Sequence, residues 1–295
     1  MRNIIIDTDI GDDADDILAL ALALNSLELN IVGVTTVFKN TQLRAKMAKH
    51  VLALAERQEI PVYAGHPHPI LGENDCTEVP CQYQSEMSKY SVPEVHAVQY
   101  IADVLSTQKV TLVAIGPLTN IADLIVKHPE CLKNIEELVV MGGCYYRHVN
   151  EWNIVCDPEA ADIVFRSGLK IRAVGLDVTT QCNFNGLALS RAQRNADTPL
   201  KKLLIESCDA WFNETGFTPI LHDPLTIFSL LSDSDIEYVP ENVRVELKGE
   251  FTRAMTVCTE EGIWGRVSES PTALVARHLD ADNFVNYFTN KVFSD

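Results

Sequence analysis

At 295 residues the chain is long enough for one large α/β domain or two ordinary ones, and 46% hydrophobic with 22% charged residues excludes a disordered polymer. With 24 basic against 41 acidic residues the formal charge is −17, a field that repels phosphate backbones and anionic lipid, so neither nucleic acid nor a membrane is an expected partner. A neutral small molecule or a divalent cation suits that charge better.

The amino terminus runs from Met1 and Arg2 directly into Asn-Ile-Ile-Ile-Asp, with no apolar stretch long enough for a signal peptide or a span, so a soluble, cytoplasmic protein is expected. Asn3 to Ile6 reads as the first strand. Ile17 to Leu24 alternates Leu and Ala, good helix formers with apolar residues all round, which predicts a buried helix. Asn30 to Val37 then gives a second strand and Leu43 to Glu56 a second helix. Pro61 to Tyr63, Val110 to Ile115, Leu138 to Met141 and Ile171 to Val174 read as further strands, with helices such as Val95 to Leu105 and Pro158 to Phe165 between them. Gly72 to Ser91 is polar and aperiodic and predicts a loop near a site. Val243 to Leu247 with Arg253 to Cys258 predicts a late β-hairpin, and Asp282 to Phe288 a closing helix. Strands alternating with helices imply an α/β fold, a single Rossmann-like domain over residues 1–295 with a mainly parallel central sheet flanked by helices. The eight cysteines are scattered without Cys-x-x-Cys spacing and read as reduced thiols, mostly in the core. His66-Pro67-His68 reads as a loop rather than a metal site.

In such folds ligands bind beyond the carboxyl ends of the strands. Directly after the first apolar run come Asp7, Asp9, Asp12, Asp13, Asp15 and Asp16, six carboxylates within ten residues at a strand-to-helix turn. One or two can serve as helix caps or first-turn residues that complement the helix dipole, but six repel one another unless a cation joins them. Hard oxygen donors without neighbouring His or Cys favour calcium or magnesium over zinc. An EF-hand does not fit, because Gly11 sits one place early and a strand precedes the loop.

Ile4-Ile5-Ile6-Asp7-Thr8-Asp9-Ile10-Gly11, followed by an Asp pair and an apolar helix, resembles the amino-terminal signature of the inosine-uridine-type nucleoside hydrolases. Val34 to Asn40 resembles that family's second-strand motif, and Ala114-Ile115-Gly116-Pro117-Leu118-Thr119-Asn120 its mid-chain turn. Val140-Met141-Gly-Gly with Glu151-Trp152-Asn153 resembles its substrate loop, His222-Asp223-Pro224 its late metal motif, and Gly249 to Val267 its carboxyl-terminal hairpin. The resemblance implies calcium-dependent hydrolysis of the N-glycosidic bond of ribonucleosides, with Ca2+ held by Asp9, Asp16, Asp223 and the carbonyl of Ile115, and with the ribose 2′- and 3′-hydroxyls completing its shell. It implies Asp9 as general base on a water held at the metal, and Asp15, Asn40, Glu151 and Asn153 as ribose contacts. Met141 and Trp152 would line the pocket, and His222 would assist the leaving base. Relatives of this kind are often dimers or tetramers, so a homo-oligomer is expected.

Each motif also has a plain structural reading. Asn40 can cap the second helix, Thr119 or Asn120 can cap another, and Asp223-Pro224 has the form of an N-cap with proline in the first turn. Three departures from the family pattern matter. Five residues, rather than three, separate Asp9 from the Asp pair, so Asp12-Asp13 competes with Asp15-Asp16 for the metal, and Asp15-Asp16 are preferred because they directly precede the helix; and Lys39 stands where the family's second-strand motif has glycine. The loop from Cys144 to Asn150 is also short and lacks the family's Asn-x-x-Pro pattern. Two other functions share parts of the pattern: a haloacid-dehalogenase-type phosphatase, which also opens on strand-Asp-x-Asp, and a non-catalytic nucleoside-binding protein. Purine or pyrimidine preference is not legible.

Overall fold

In a computed structural model the described residues are 1–232, 234–258 and 270–294. The strands are β1 (Arg2–Thr8), β2 (Leu29–Thr36), β3 (Val62–Ala64), β4 (Val110–Ala114), β5 (Ile135–Met141), β6 (Ile171–Val174), β7 (Ile236–Glu241), β8 (Val243–Val245), β9 (Thr256–Cys258) and β10 (Ala273–Leu279). The helices are α1 (Asp15–Leu24), α2 (Thr41–Leu54), α3 (Ala97–Thr107), α4 (Thr119–Lys127), α5 (Trp152–Cys156), α6 (Pro158–Phe165), α7 (Leu176–Thr179), α8 (Gly186–Arg194), α9 (Pro199–Thr215), α10 (His222–Phe228) and α11 (Ala281–Phe293).

The main sheet has eight strands in the order β3-β2-β1-β4-β5-β6-β10-β7, parallel except for the edge strand β7, which runs antiparallel to β10. Its first six strands therefore follow the doubly wound order, which reverses direction between β1 and β4. A crevice opens at the carboxyl ends of the strands where the order reverses. The register keeps those ends level: Asp7 lies opposite Thr35 of β2 and Ala114 of β4.

Helices cover both faces, so successive residues of β1 enter two different cores. Ile4 and Ile6 pack with α1, α10 and α11 on one face, while Ile5 packs with α3, α4 and α6 on the other. This explains why the strands read as unbroken apolar runs. Nearly every residue of α1 is buried, in accord with its all-round apolar sequence. Among the helix pairs it packs most extensively against α10, which brings residues near 16 and 223 together.

The late hairpin is present, with β8 antiparallel to β9 and Val243 opposite Cys258; the part of Gly249 to Val267 beyond Cys258 lies outside the described residues. Gly72 to Ser91 has no regular structure except a 3-10 turn at Ser85–Lys89. Cysteines are free thiols, but only Cys131, Cys144, Cys182 and Cys208 are buried. The others are half-buried, so the core holds half of them rather than most. The closing helix is longer than its sequence pattern, reaching Phe293, because Phe284, Phe288 and Phe293 all pack into the core. No helix of the described residues is long and apolar enough to cross a membrane.

Candidate active site

A cavity of about 820 Å³ opens at the crevice between β1 and β4, within the size range of small-molecule sites. Every residue given a catalytic, sugar, base or metal role from the sequence lines it except Asn40; Asp7, the first of the six carboxylates, instead accepts from Thr35 and Asn120 beneath it. Asn40 instead accepts a hydrogen bond from the Leu43 N–H at 3.2 Å and caps α2, and it lines a smaller neighbouring cleft.

The β1–α1 turn supplies the chemistry. The Thr8 hydroxyl donates to Asp16 and accepts from the Ile10 N–H at 3.0 Å, tying the end of the strand to the start of the helix. Asp13 accepts from its neighbour's N–H at Ala14, 2.6 Å, and Asp12 is bound by Arg44 Nη2 at 2.6 Å. Asp12 and Asp13 line the cavity but are not among the clustered carboxylates that could share an ion. Asp15 and Asp16 occupy the first turn of α1, and Asp223 that of α10, where the positive ends of the helix dipoles favour anions.

Carboxylate oxygens of Asp15, Asp16 and Asp223 lie within 4.8 Å of one another, and all three residues are buried. Burial first, and then mutual repulsion, pushes each of these acids well above the ordinary carboxylate range. Three buried, clustered carboxylates with hard oxygen donors fit a divalent cation, which would relieve both burdens. Asp9, named from the sequence as a ligand, lines the same cavity outside this trio. Burial raises it to about 7, with the Arg44 guanidinium pulling the other way. Asp15, named as a sugar contact, is inside the trio.

The other strand ends complete the walls. After β4, the Ile115 carbonyl accepts from Asn153 Nδ2 at 3.1 Å. Gly116 follows, where an added Cβ would stand 2.8 Å from Asp9 Oδ1 and 2.9 Å from the Asp9 nitrogen; only glycine lets β4 pass so close to that carboxylate. After β5, Glu151 caps α5, accepting from the N–H groups of Asn153 (2.8 Å), Ile154 (3.1 Å) and Gly143 (3.0 Å). Burial raises the Glu151 carboxyl and those backbone donors hold it back. Met141 is buried in the wall, while Trp152 is 62% exposed at the rim. His222 Nδ1 lies 2.7 Å from the Thr179 hydroxyl, and burial lowers the imidazole to about 4, so it is neutral at neutral pH.

Other lining residues were given no role from the sequence. Lys39 is the sole Lys or Arg among the described lining residues, and its ammonium pairs with Glu78 at 2.7 Å. Its φ is +52° and that of Phe38 is +72°, the left-handed region that explains glycine at this place in the family motif. Trp211 and Glu214 enter from the end of α9, and Glu78, Val79 and Cys81 from the polar stretch before α3.

Comparison with known proteins agrees with this geometry. The family model for inosine-uridine preferring nucleoside hydrolase matches residues 4–286. The chain belongs to that family. A pyrimidine-specific ribonucleoside hydrolase, RihA, of Salmonella paratyphi C is 34% identical over 98% of this chain and 97% of its own length. A plant nucleoside hydrolase, PpNRh1, superimposes with a TM-score of 0.88 at 27% identity, covering 100% of this chain and 99% of that one. A purine-preferring ribonucleoside hydrolase from Gardnerella vaginalis gives 0.84 at 28% identity, covering 99% and 98%. The solved relatives share this fold over nearly their whole length, and the protein is an enzyme.

Proposed function

We propose that this family member hydrolyses the N-glycosidic bond of ribonucleosides to free base and ribose, with calcium as its metal. The observation that carries the reading is the buried trio of Asp15, Asp16 and Asp223 beside Asp9 in one cavity at the reversal point of the sheet. Asp9, Asp15, Asp16, Asp223 and the Ile115 carbonyl are the groups that would hold the ion. When bound, calcium would orient a vicinal diol and make water easier to deprotonate.

The chain's own groups divide the rest. Asp9 takes a proton from the attacking water as its oxygen bonds to C1′, a contribution of roughly a hundred- to ten-thousand-fold. The C1′–N bond breaks and its electron pair leaves with the base. Glu151 and Asn153 meet the sugar, and the Glu151 carboxylate favours positive charge developing on the ribose. With Nδ1 held by Thr179, Nε2 is the His222 nitrogen left for the cavity, and its N–H donates to the departing base. Met141, Trp152 and Trp211 offer the base an apolar wall.

The test is ribose release from a panel of purine and pyrimidine ribonucleosides and their 2′-deoxy counterparts, with wild type and Asp9→Ala. Release from ribonucleosides alone, lost in the variant, is expected. Cleavage of a phosphate ester instead, or nucleoside binding without turnover, would replace this reading.

A further inference from the structure

The acidic turn after β1 is held from outside by residues that no motif contains: Arg44, Gln82 and, through its thiol to the Gly11 (3.6 Å) and Asp12 (3.2 Å) carbonyls, Cys81. Five consecutive carbonyls, those of Asp9 to Asp13, each accept a hydrogen bond from beyond the turn. Arg44 of α2 donates through Nη1 to Asp9 and, at 3.0 Å, to Ile10. The Gln82 N–H donates to Gly11 at 3.2 Å, and Gln82 Nε2 donates to Asp12 at 2.7 Å and Asp13 at 2.8 Å. Arg44 also reaches the Phe38 carbonyl through Nε at 2.9 Å, so it joins the turns that end β1 and β2. Arg44 is 1% exposed and Gln82 3%.

A buried guanidinium is costly, and replacing a whole buried ion pair by apolar residues often leaves a fold as stable as before; the partner of Arg44, Asp12 at 2.6 Å, is itself partly exposed and can be solvated without it. Arg44 lies in the apolar stripe of α2 with Met47, Ala48 and Val51, where a leucine would satisfy packing. What leucine cannot do is aim a fork of donors at several carbonyls at once. We infer that Arg44 and Gln82 are positioning residues that fix the backbone of Asp9 to Asp13, and so set Asp9, Asp15 and Asp16 in place for the metal and the sugar. The inference rests on the function proposed above.

Amide hydrogen exchange over residues 8–17 and calcium titration followed by melting temperature test it, in wild type, Arg44→Lys, Arg44→Met and Gln82→Met. Expected are faster exchange confined to that peptide and calcium affinity weaker by roughly 10- to 100-fold, with Arg44→Lys no better than Arg44→Met because a lysine lacks the fork. Wild-type exchange and affinity in the variants would overturn the inference. If the Arg44 variants do not fold, Gln82→Met decides by the same readouts. If wild type shows no calcium shift, the metal reading fails, and exchange alone still decides whether these residues set the turn.

Discussion

The Asp223 N–H donates to Asp15 Oδ2 at 3.4 Å across 208 residues of sequence. The contact joins the first turns of α1 and α10, and it exists because those helices pack together beneath the sheet. A carboxylate site assembled in this way depends on long-range packing, so small changes behind it should be felt in the chemistry.

Gly116→Ala places a methyl group 2.8 Å from Asp9 Oδ1. Because backbone lies beside it, Asp9 must give way, at about 1–3 kcal/mol of overpacking. The expected outcome is kcat down at least tenfold with substrate KM little changed, measured by steady-state ribose release. An unchanged kcat would show that Asp9 is not held against β4.

Thr179→Val removes the partner of His222 Nδ1. Losing one hydrogen bond worth about 0.5–1.5 kcal/mol should slow natural ribonucleosides by roughly two- to tenfold. A p-nitrophenyl riboside, whose leaving group departs without help, should be cleaved at the wild-type rate. Equal slowing of both substrates would remove His222 from leaving-group assistance.

Lys39 stands at φ +52°, a conformation that costs a residue with a Cβ about 1–2 kcal/mol. Chemical denaturation should therefore find Lys39→Gly more stable than Lys39→Ala by about 1 kcal/mol, the reverse of the usual order. Both lose the Glu78 ion pair equally, so that pair drops out of the comparison. Alanine more stable than glycine here would contradict the observed turn.

In chelator, stability should fall as pH rises from about 6.5 through about 7. Asp9, raised to about 7, binds more protons in the folded than in the unfolded state over that range, and Asp15, Asp16 and Asp223, which burial and mutual repulsion hold well above the ordinary carboxylate range, act with the same sign, so raising the pH costs the folded state. His222, lowered to about 4, acts in the opposite direction only below its unfolded value near 6.5. Differential scanning calorimetry in chelator should show the melting temperature declining across this window, with calcium restoring it; a rise in chelator would contradict the account.

The parallel strands were legible because both of their faces are buried, which leaves an uninterrupted apolar signal. β7 and β10 were not. β7 is an edge strand containing Pro240, and β10 carries Arg277 and His278 before its last residue, Leu279, so neither gives a clean run. Of the site, the carboxylates and strand-end motifs were readable, since chemistry fixes their residue types. Whether Asp12-Asp13 or Asp15-Asp16 faces Asp223 was not, because it depends on Arg44 drawing Asp12 aside. An arginine in the stripe of Met47, Ala48 and Val51 was the available signal for that clamp. Gln82 and Thr179 offered none, for their partners are distant backbone carbonyls and a histidine 43 residues away.

The most direct measurement is ribose formation from a ribonucleoside before and after calcium is stripped with chelator, and again on adding calcium back, in wild type and Asp223→Asn. The account predicts loss of activity with chelator, its return with calcium, and an Asp223→Asn protein that folds but stays slow at calcium levels that saturate wild type. Full activity in chelator, or an Asp223→Asn enzyme as fast as wild type, would contradict it.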